Sequence, residues 1–278
     1  MTLLSILIPG KNDNFRENCE KVLNFNLNKT ISNLNNLGLT DVEIVLCDWG
    51  SEKKIIENLP IRKYQNFKCV YVPPDIAKKY NGEANYSIVH PINTAFRHSI
   101  GKYVVFWDSD CYVPQTTIQN LYQFIQNMET NNDMSFYWAS KWNISYDTYM
   151  SFNTYHELDN YLESNDATSR QIINTANFGG DGIAMLMNRE LWQDSTGFWE
   201  ILIYWGWQDI EFHDRLKTKY NFGGDLENYN MKFYHLFEPI NNKASNKLTS
   251  PLARSENFQA NDESWGLNNE KLEIIKFI

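Results

Sequence analysis

Lys102-Tyr-Val-Val-Phe-Trp-Asp-Ser-Asp110 is the segment of this chain that indicates its fold most strongly. Its centre, Tyr103 to Trp107, is a run of β-branched and aromatic residues typical of a strand buried on both faces. The run ends at Asp108 and Asp110. In open α/β sheets, ligands bind beyond the carboxyl ends of the strands, so these two carboxylates are predicted to face a ligand. They suit a divalent cation that takes its other ligands from phosphate and water.

The Asp-x-Asp spacing alone is weak evidence for a metal site. The chain has 16 aspartates among 278 residues, which gives about one such pair by chance. A solvated turn that ends a strand is the alternative interpretation. The rest of the chain has to decide between the two.

The composition limits the classes of protein to which the chain can belong. An apolar fraction of 42% over 278 residues is enough for one large α/β domain or two small ones. The net charge is −9 and the pI is about 5.1. Lysine and arginine form no run, which argues against a nucleic-acid groove or a polybasic membrane patch. A bound phosphate group would therefore be neutralised by a metal ion.

The cysteines and the apolar runs predict where the protein works. Cys19, Cys47, Cys69 and Cys111 contain no C-x-x-C pair, which favours free thiols in a reducing compartment and a cytoplasmic location. The run from residue 3 to 8 is too short for a signal peptide, and no run approaches the length of a membrane span. Peripheral association with a membrane and the oligomeric state stay open.

Strands and helices alternate along the first half of the chain. This order predicts a parallel sheet wound with right-handed crossovers. The predicted strands are Leu3–Ile8, Val42–Cys47, Lys68–Val72 and Tyr103–Trp107, and the predicted helices run from Phe15 to near Gly38, from Glu52 to Leu59, and from Glu83 to Ile100 with an interruption at Pro91.

The alternation lapses in the second half. Residues 141–177 are polar and aromatic with weak periodicity, and residues 239–262 are typical of a mobile loop. The predicted elements are a helix from Thr116 to Met128, strands at Met134–Ala139, Ile183–Met187 and Lys232–Leu236, a helix that opens at Trp205, and a terminal helix from Glu270 to Phe277.

Four separated segments resemble, in order, the GT-A glycosyltransferases of the family-two kind. They are Ser5–Pro9, Glu43–Ser51, Asn93–Asp110, and Gly197–Glu200 together with Trp205–Asp209. The order is the strong evidence, because a chance Asp-x-Asp pair would not also follow an Asp-x-Gly-Ser turn and precede a Trp-Gly-x-x-Asp helix start. The resemblance implies an α/β fold with a Rossmann-like, mostly parallel central sheet flanked by helices.

The resemblance also implies a division of the chain into parts. Residues 1–140 would form the half of a single GT-A domain that binds the nucleotide sugar. Residues 141–238 would bind the acceptor and carry the catalytic residue. Residues 239–278 would form a mobile loop, able to close over the donor, and a C-terminal helix.

Besides Asp108, five residues are predicted to bind the donor, and the resemblance supplies the roles of Pro9 and Asp48 among them. Pro9 would line the nucleotide base and Asp48 would hydrogen-bond to it, while Asn93 lies in the segment that leads to the acidic pair. Gly180 and Asp181 would approach the donor sugar, and a plain turn is the alternative for them.

Three residues match the metal site of the family. Asp108 would contact the ribose or the metal, and Asp110 would coordinate a Mn²⁺ or Mg²⁺ ion that bridges the donor diphosphate. His235 resembles an additional metal ligand from a late strand. A histidine satisfied within its strand is the alternative for His235.

The Trp-Gly-x-x-Asp segment matches the acceptor side of the family's site. Asp209 corresponds to the acid that serves as general base in inverting members, and Gln208 replaces the acid that usually precedes it. A helix-capping aspartate is the alternative for Asp209. Trp205, Trp207 and Gln208 would contact the acceptor, although aromatic residues at a helix start also belong to cores.

The predicted function is metal-dependent transfer of a sugar, of the hexosyl or N-acetylhexosaminyl type, with inversion. The donor would be a nucleotide diphosphate sugar, with UDP chosen because the family often uses it, and the acceptor a hydroxyl on a glycan or glycoconjugate. One alternative is a sugar nucleotidyltransferase, which ordinarily has a glycine-rich, basic loop after the first strand to hold a triphosphate. Residues 9–13 resemble such a loop only in part. A noncatalytic binding module of the same fold is the other, and Gln208 favours it.

Overall fold

The computed structural model describes residues 1–12, 19–58, 64–152, 154–164, 169–170, 174–175, 178–179, 182–204, 206, 208–237 and 261–276. The first half contains β1 (Leu4–Gly10), α1 (Cys19–Asn36), β2 (Val42–Trp49), α2 (Ile55–Asn58), β3 (Phe67–Val72), α3 (Pro74–Asn81), α4 (Val89–Arg97) and β4 (Tyr103–Trp107). The rest contains β5 (Cys111–Tyr112), α5 (Gln115–Asn131), β6 (Phe136–Ser145), α6 (Tyr146–Met150), α7 (Tyr155–Ser164), β7 (Ser169–Arg170), β8 (Asn174–Thr175), β9 (Phe178–Gly179), β10 (Gly182–Asn188), α8 (Arg189–Asp194), α9 (Gln208–Lys217), β11 (Phe222–Asp225), β12 (Phe233–Phe237) and β13 (Glu273–Lys276).

One mixed sheet runs through the molecule, with the strand order β13-β3-β2-β1-β4-β10-β6-β12-β5. The strands β3, β2, β1 and β4 pair parallel with one another, as the alternating sequence predicted. The strand β10 is antiparallel to both β4 and β6, and it joins the two halves of the sheet. The predicted α/β fold class is therefore confirmed, with parallel pairing concentrated in the first half.

Buried apolar side chains cover both faces of the sheet. Successive strand residues point to opposite faces, so Ile6 and Ile8 of β1 pack with α1 and α5, whereas Leu7 packs with α4 on the other face. All seven residues of β1 are buried. A strand covered on both faces reads as a continuous apolar run, which is why β1 and β4 are recognisable in the sequence.

The predicted terminal helix from Glu270 to Phe277 is wrong. Residues 273–276 form β13, which pairs antiparallel with β3, and Ile274 and Ile275 are half-buried there. Without β13, the strand β3 would leave a row of backbone hydrogen-bonding groups unpaired at the edge of the sheet. Pairing with that edge outweighs the weak helical preference of the segment.

Three other elements differ from the sequence-based predictions. The long helix-like stretch up to residue 100 contracts to α4, and Pro91 lies in its first turn, where the missing N–H costs little. The strand predicted to end at Ala139 continues to Ser145, because residues 141–145 pair with β12. The helix α3, which begins at Pro74, was not predicted.

The predicted mobile loop falls almost entirely outside the described residues, since residues 238–260 are not described. No helix in the described part of the chain is both long enough and apolar enough to cross a membrane.

Candidate functional site

Three residues predicted to bind the donor lie at one edge of the sheet. The parallel pairing of β1 with β2 aligns Gly10 with Asp48, and its pairing with β4 aligns Leu7 with Phe106. Pro9 and Asp108 therefore reach the same carboxyl edge as Asp48. Adjacent parallel strands therefore place these three residues at a common edge.

Asp110 and His235 are in direct contact. The imidazole Nε2 lies 3.2 Å from the Asp110 carboxylate Oδ2, and the side chains are 11% and 19% exposed for His235 and Asp110, respectively. The backbone supports the contact, because β5 pairs with β12 and the Leu236 N–H donates to the Asp110 carbonyl at 3.1 Å. Two widely separated segments of the chain thus place an oxygen and a nitrogen side by side.

The same pair has the spacing of two neighbouring metal ligands. Ligands at right angles around an octahedral ion, each about 2.1 Å from it, are about 3 Å apart. The His235 Nδ1 lies 3.1 Å from the Asn143 Oδ1, and a proton on Nδ1 donated to that oxygen would leave the Nε2 lone pair available to a metal ion. The described residues contain no group of three or more His, Cys, Asp or Glu side chains able to hold a metal ion. Diphosphate and water would have to supply the other ligands.

The turn that carries Asp108 and Asp110 is held by its own backbone and by α1. The Cys111 N–H donates to the Asp108 carbonyl at 3.0 Å, and the Asn26 amide donates to the Ser109 carbonyl at 3.1 Å. These bonds close the turn and attach it to the helix that follows β1. A solvated turn would need neither the contact with α1 nor the contact between Asp110 and His235.

Asp48 is a fully buried carboxylate at the end of β2. Its Oδ2 accepts a hydrogen bond from the Ile55 N–H at 2.8 Å, while its Oδ1 is buried and makes no hydrogen bond to a described residue. Burial raises the pKa of Asp48 to about 6, although hydrogen bonds from the Ser51 side chain and the Ile55 N–H oppose the shift. Between about pH 4 and pH 6 the carboxyl group is ionised in the unfolded chain but still protonated in the folded protein. The free energy of unfolding therefore falls as the pH rises through this range. A ligand that donates a hydrogen bond to Oδ1 would offset this cost.

Asn93 is fully buried and contacts the loop that precedes α9. Its amide Nδ2 donates to the Phe198 carbonyl at 2.8 Å and to the Glu200 carboxylate at 3.0 Å, and its Oδ1 accepts from the Phe198 N–H at 2.9 Å. Both polar atoms of the side chain are used in this way. The geometry favours a role in holding the loop over the predicted contact with the donor.

Two of the residues predicted on the acceptor side, Gln208 and Asp209, begin the helix α9. Asp209 lies in the first turn, is partly exposed, and its Oδ1 accepts from the Ile210 N–H at 3.0 Å. Gln208 is buried, and its amide lies 3.5 Å from the Leu202 carbonyl, which favours a structural role for it. Four further predicted site residues, Trp205, Trp207, Gly180 and Asp181, lie outside the described residues.

A buried ion pair that was not predicted orients α9. The Arg215 Nε donates to the Glu211 carboxylate at 2.5 Å, and its Nη2 donates to the Gly197 carbonyl at 2.7 Å. Burial raises the pKa of Glu211, while the hydrogen bond and charge of Arg215 oppose the shift. The i, i+4 spacing within a predicted helix was the available signal. The pair ties the loop at residues 195–200 to the helix that presents Asp209.

Lys141 is another residue that the sequence analysis missed. It lies on β6 opposite Phe233, two positions before the Asn143 that contacts His235. Burial raises the pKa of Cys111, as do the charges of the aspartates at 108 and 110, and the Lys141 ammonium opposes them. A positively charged side chain therefore lies close to the acidic turn. The sequence analysis had predicted that a metal ion alone would neutralise a bound phosphate group.

The parallel strands, the flanking helices and the acidic turn at the carboxyl edge define an α/β fold of the GT-A type. A family model described as glycosyl transferase family 2 matches residues 18–193, which is more than half of the 278 residues. The chain therefore belongs to glycosyl transferase family 2. Asp48, Asp108 and Asp110 lie within the match, whereas Asp209 and His235 lie beyond its end.

Solved glycosyltransferases share the fold at low sequence identity. The complex of S. aureus TarS residues 1–349 with UDP-GlcNAc is 15% identical with a TM-score of 0.52, covering 85% of this chain and 59% of that one. The catalytic domain of Drosophila β1,4-galactosyltransferase 7 in complex with xylobiose is 12% identical with a TM-score of 0.51, covering 94% and 82%. A mutant of that enzyme in complex with manganese, UDP-Gal and xylobiose is 13% identical with a TM-score of 0.50, covering 94% and 82%.

These similarities establish the fold, and this chain spans about 60% of the length of the TarS fragment. Among curated protein sequences, none matches the chain.

Proposed function

We propose that this glycosyltransferase moves a hexosyl or N-acetylhexosaminyl group from a UDP-sugar to a hydroxyl of a glycan or glycoconjugate, with inversion at the anomeric carbon. The observation that carries the proposal is the contact between Asp110 and His235 at the carboxyl edge of the sheet. The proposal includes a donor half, residues 1–140, and an acceptor half, residues 141–238. It also includes the predicted cytoplasmic location, which the buried free thiols of Cys47, Cys69 and Cys111 support.

A divalent ion, Mn²⁺ or Mg²⁺, fits between the donor atoms that the chain presents. Asp110 and His235 would hold it, Asp108 would contact it or the ribose, and Asn143 would keep the imidazole oriented. A bound ion of this kind neutralises the negative charge that develops on the leaving diphosphate. The manganese and UDP-Gal bound to the mutant galactosyltransferase are consistent with such a site. Lys141 would add a second positive charge beside the diphosphate.

Asp209 would activate the acceptor. A hydroxyl is a poor nucleophile until a positioned carboxylate takes its proton as the new bond forms. The first turn of α9 carries two carboxylates, the partly exposed Asp209 and the buried Glu211, which is paired with Arg215. The Glu211–Arg215 pair fixes that helix against the loop at residues 195–200. Gln208 is buried beside Leu202, so we assign it no part in this step.

The first test is a panel of nucleotide sugars assayed for release of the nucleotide diphosphate. We expect UDP release from one or more UDP-sugars with Mn²⁺, and loss of release when a chelator removes the ion. Donor binding without release from any donor would instead favour the noncatalytic module. Pyrophosphate release from UTP and a sugar 1-phosphate would favour the nucleotidyltransferase.

The raised pKa of Asp48 predicts a pH dependence of nucleoside binding. Its ionised carboxylate would accept a hydrogen bond from the uracil imide N–H, and its pKa is about 6. The affinity for uridine is therefore expected to fall roughly tenfold per pH unit below pH 6 and to level off above pH 7. An NMR titration of uridine in the presence of a chelator measures this without a contribution from metal or phosphate.

Asp48→Asn is the control for this titration. The variant keeps the size of the side chain but does not ionise, so it should bind uridine weakly and with little dependence on pH. Equal uridine affinity of the wild-type protein at about pH 5 and pH 7.5 would contradict the role assigned to Asp48.

A further inference from the structure

A buried ion pair lies beside the short strand that follows Asp110. The Lys29 Nζ on α1 is 2.6 Å from the Asp159 Oδ2 on α7, and the two side chains are only 5% and 13% exposed. The Tyr112 hydroxyl donates to the other oxygen of Asp159 at 2.6 Å. Tyr112 is the last residue of β5 and lies two positions after Asp110. The network therefore joins α1 and α7 to the strand next to the proposed metal ligand.

Stability alone is a poor explanation for this network. The cost of removing two charges from water offsets most of their attraction, so apolar side chains of similar size would hold the helices together as well. The Lys29 ammonium also lies 5.7 Å and 5.2 Å from the ring centres of Tyr112 and Tyr155. A satisfied network of this kind permits one arrangement of its members, and its main effect is to fix geometry.

The strand β5 needs such a restraint. It has only two residues, Cys111 and Tyr112, which pair with His235 and Tyr234 of β12. A strand this short makes few backbone hydrogen bonds of its own. Any shift of β5 against β12 changes the separation of Asp110 from His235.

We propose that Tyr112, held by Asp159 and Lys29, is a positioning residue that keeps Asp110 at the distance from His235 that a divalent cation requires. The inference rests on the proposed function, because it needs a metal between these two side chains. Since α7 belongs to the proposed acceptor half, the network also connects that half to the metal site. It predicts a defect in metal binding that a general loss of stability would not produce.

Tyr112→Phe tests the inference, with Tyr64→Phe as the matched control. Each variant removes one buried hydroxyl, and the Tyr64 hydroxyl donates to the Leu39 and Val42 carbonyls at the opposite end of β2 from Asp48. Urea unfolding should show a lower midpoint for both variants. The affinity for Mn²⁺ in the presence of UDP, measured by EPR titration, should fall at least threefold in Tyr112→Phe and stay within about twofold of wild type in Tyr64→Phe.

The result separates this inference from the proposed function. If the wild-type protein binds Mn²⁺ with UDP and Tyr112→Phe binds it equally well, the positioning role is overturned while the proposed function stands. If the wild-type protein binds no Mn²⁺ in the presence of UDP, the metal site fails and the positioning role fails with it. An equal loss of Mn²⁺ affinity in both variants would identify the effect as one of stability and would also overturn the role.

Discussion

Asp110→Ala is expected to abolish sugar transfer, with a loss of kcat/KM on the order of 10³-fold or more. The Asp110 Oδ2 lies 3.2 Å from the His235 Nε2. The substitution removes this carboxylate and leaves the imidazole as the only one of the two proposed metal ligands. The negative charge on the leaving diphosphate would then develop without a correctly placed cation. UDP release from the donor identified in the panel measures the activity, and EPR titration measures Mn²⁺ binding in the presence of UDP.

A control variant and a control measurement show whether the effect of Asp110→Ala is specific to the metal site. Asp75→Ala removes an exposed aspartate from the first turn of α3 and should leave both activity and Mn²⁺ affinity close to wild type. Uridine binding in the presence of chelator should survive Asp110→Ala, because that contact is assigned to Asp48. More than a tenth of the wild-type turnover in Asp110→Ala, with the metal dependence intact, would remove Asp110 from the metal site.

The carboxyl edge of the sheet was predictable from sequence because its signals are local. Each of β1, β2 and β4 is a short buried run, and each ends at a residue whose chemistry differs from the run before it. Once the runs are placed in a parallel sheet, their carboxyl ends must meet, so the common edge of Pro9, Asp48 and Asp108 follows, whereas the donor contacts predicted for Pro9 and Asp48 depended on the resemblance to a family.

The Asp110–His235 contact was predictable only through the resemblance to a family. The contact depends on the pairing of β5 with β12, which are far apart in the chain. No periodicity in either segment specifies that partner, since β5 has two residues and β12 has five. Lys141 and Asn143 were missed for a related reason. They lie on the half-buried continuation of β6, where polar and aromatic residues mix and the alternation typical of a strand is absent.

The wrong terminal helix and the unrecognised Lys29–Asp159 ion pair share one physical origin. Residues 273–276 are a strand because the edge of β3 is available, and Lys29 is buried because Asp159 lies opposite it on another helix. In both cases the partner comes from a distant part of the chain. Local preference is a weak term beside such pairing, so a single sequence predicts the elements better than their partners.

Asp209→Asn is expected to remove turnover while leaving donor binding intact. The loss in kcat should be roughly 10²- to 10⁴-fold, which is the usual contribution of a general base. Affinity for UDP with Mn²⁺ should stay within about twofold of wild type, because the donor contacts are assigned to other residues. Single-turnover assays with the donor and acceptor found by the panel measure the first quantity, and EPR titration measures the second.

The asparagine variant also tests the alternative that Asp209 only stabilises the start of α9. Asparagine supports a helix N-terminus about as well as aspartate, so a residue with that role alone would tolerate the substitution with little loss of kcat. Asp214→Asn, in the next turn of α9, is the matched control and should keep near wild-type turnover. A similar kcat in the two variants would assign Asp209 to the helix, whereas a large loss in Asp209→Asn alone would assign it to the acceptor. Since Asp110→Ala should remove metal binding and turnover together, the two aspartates are expected to fail in different ways, as leaving-group stabilisation and nucleophile activation require.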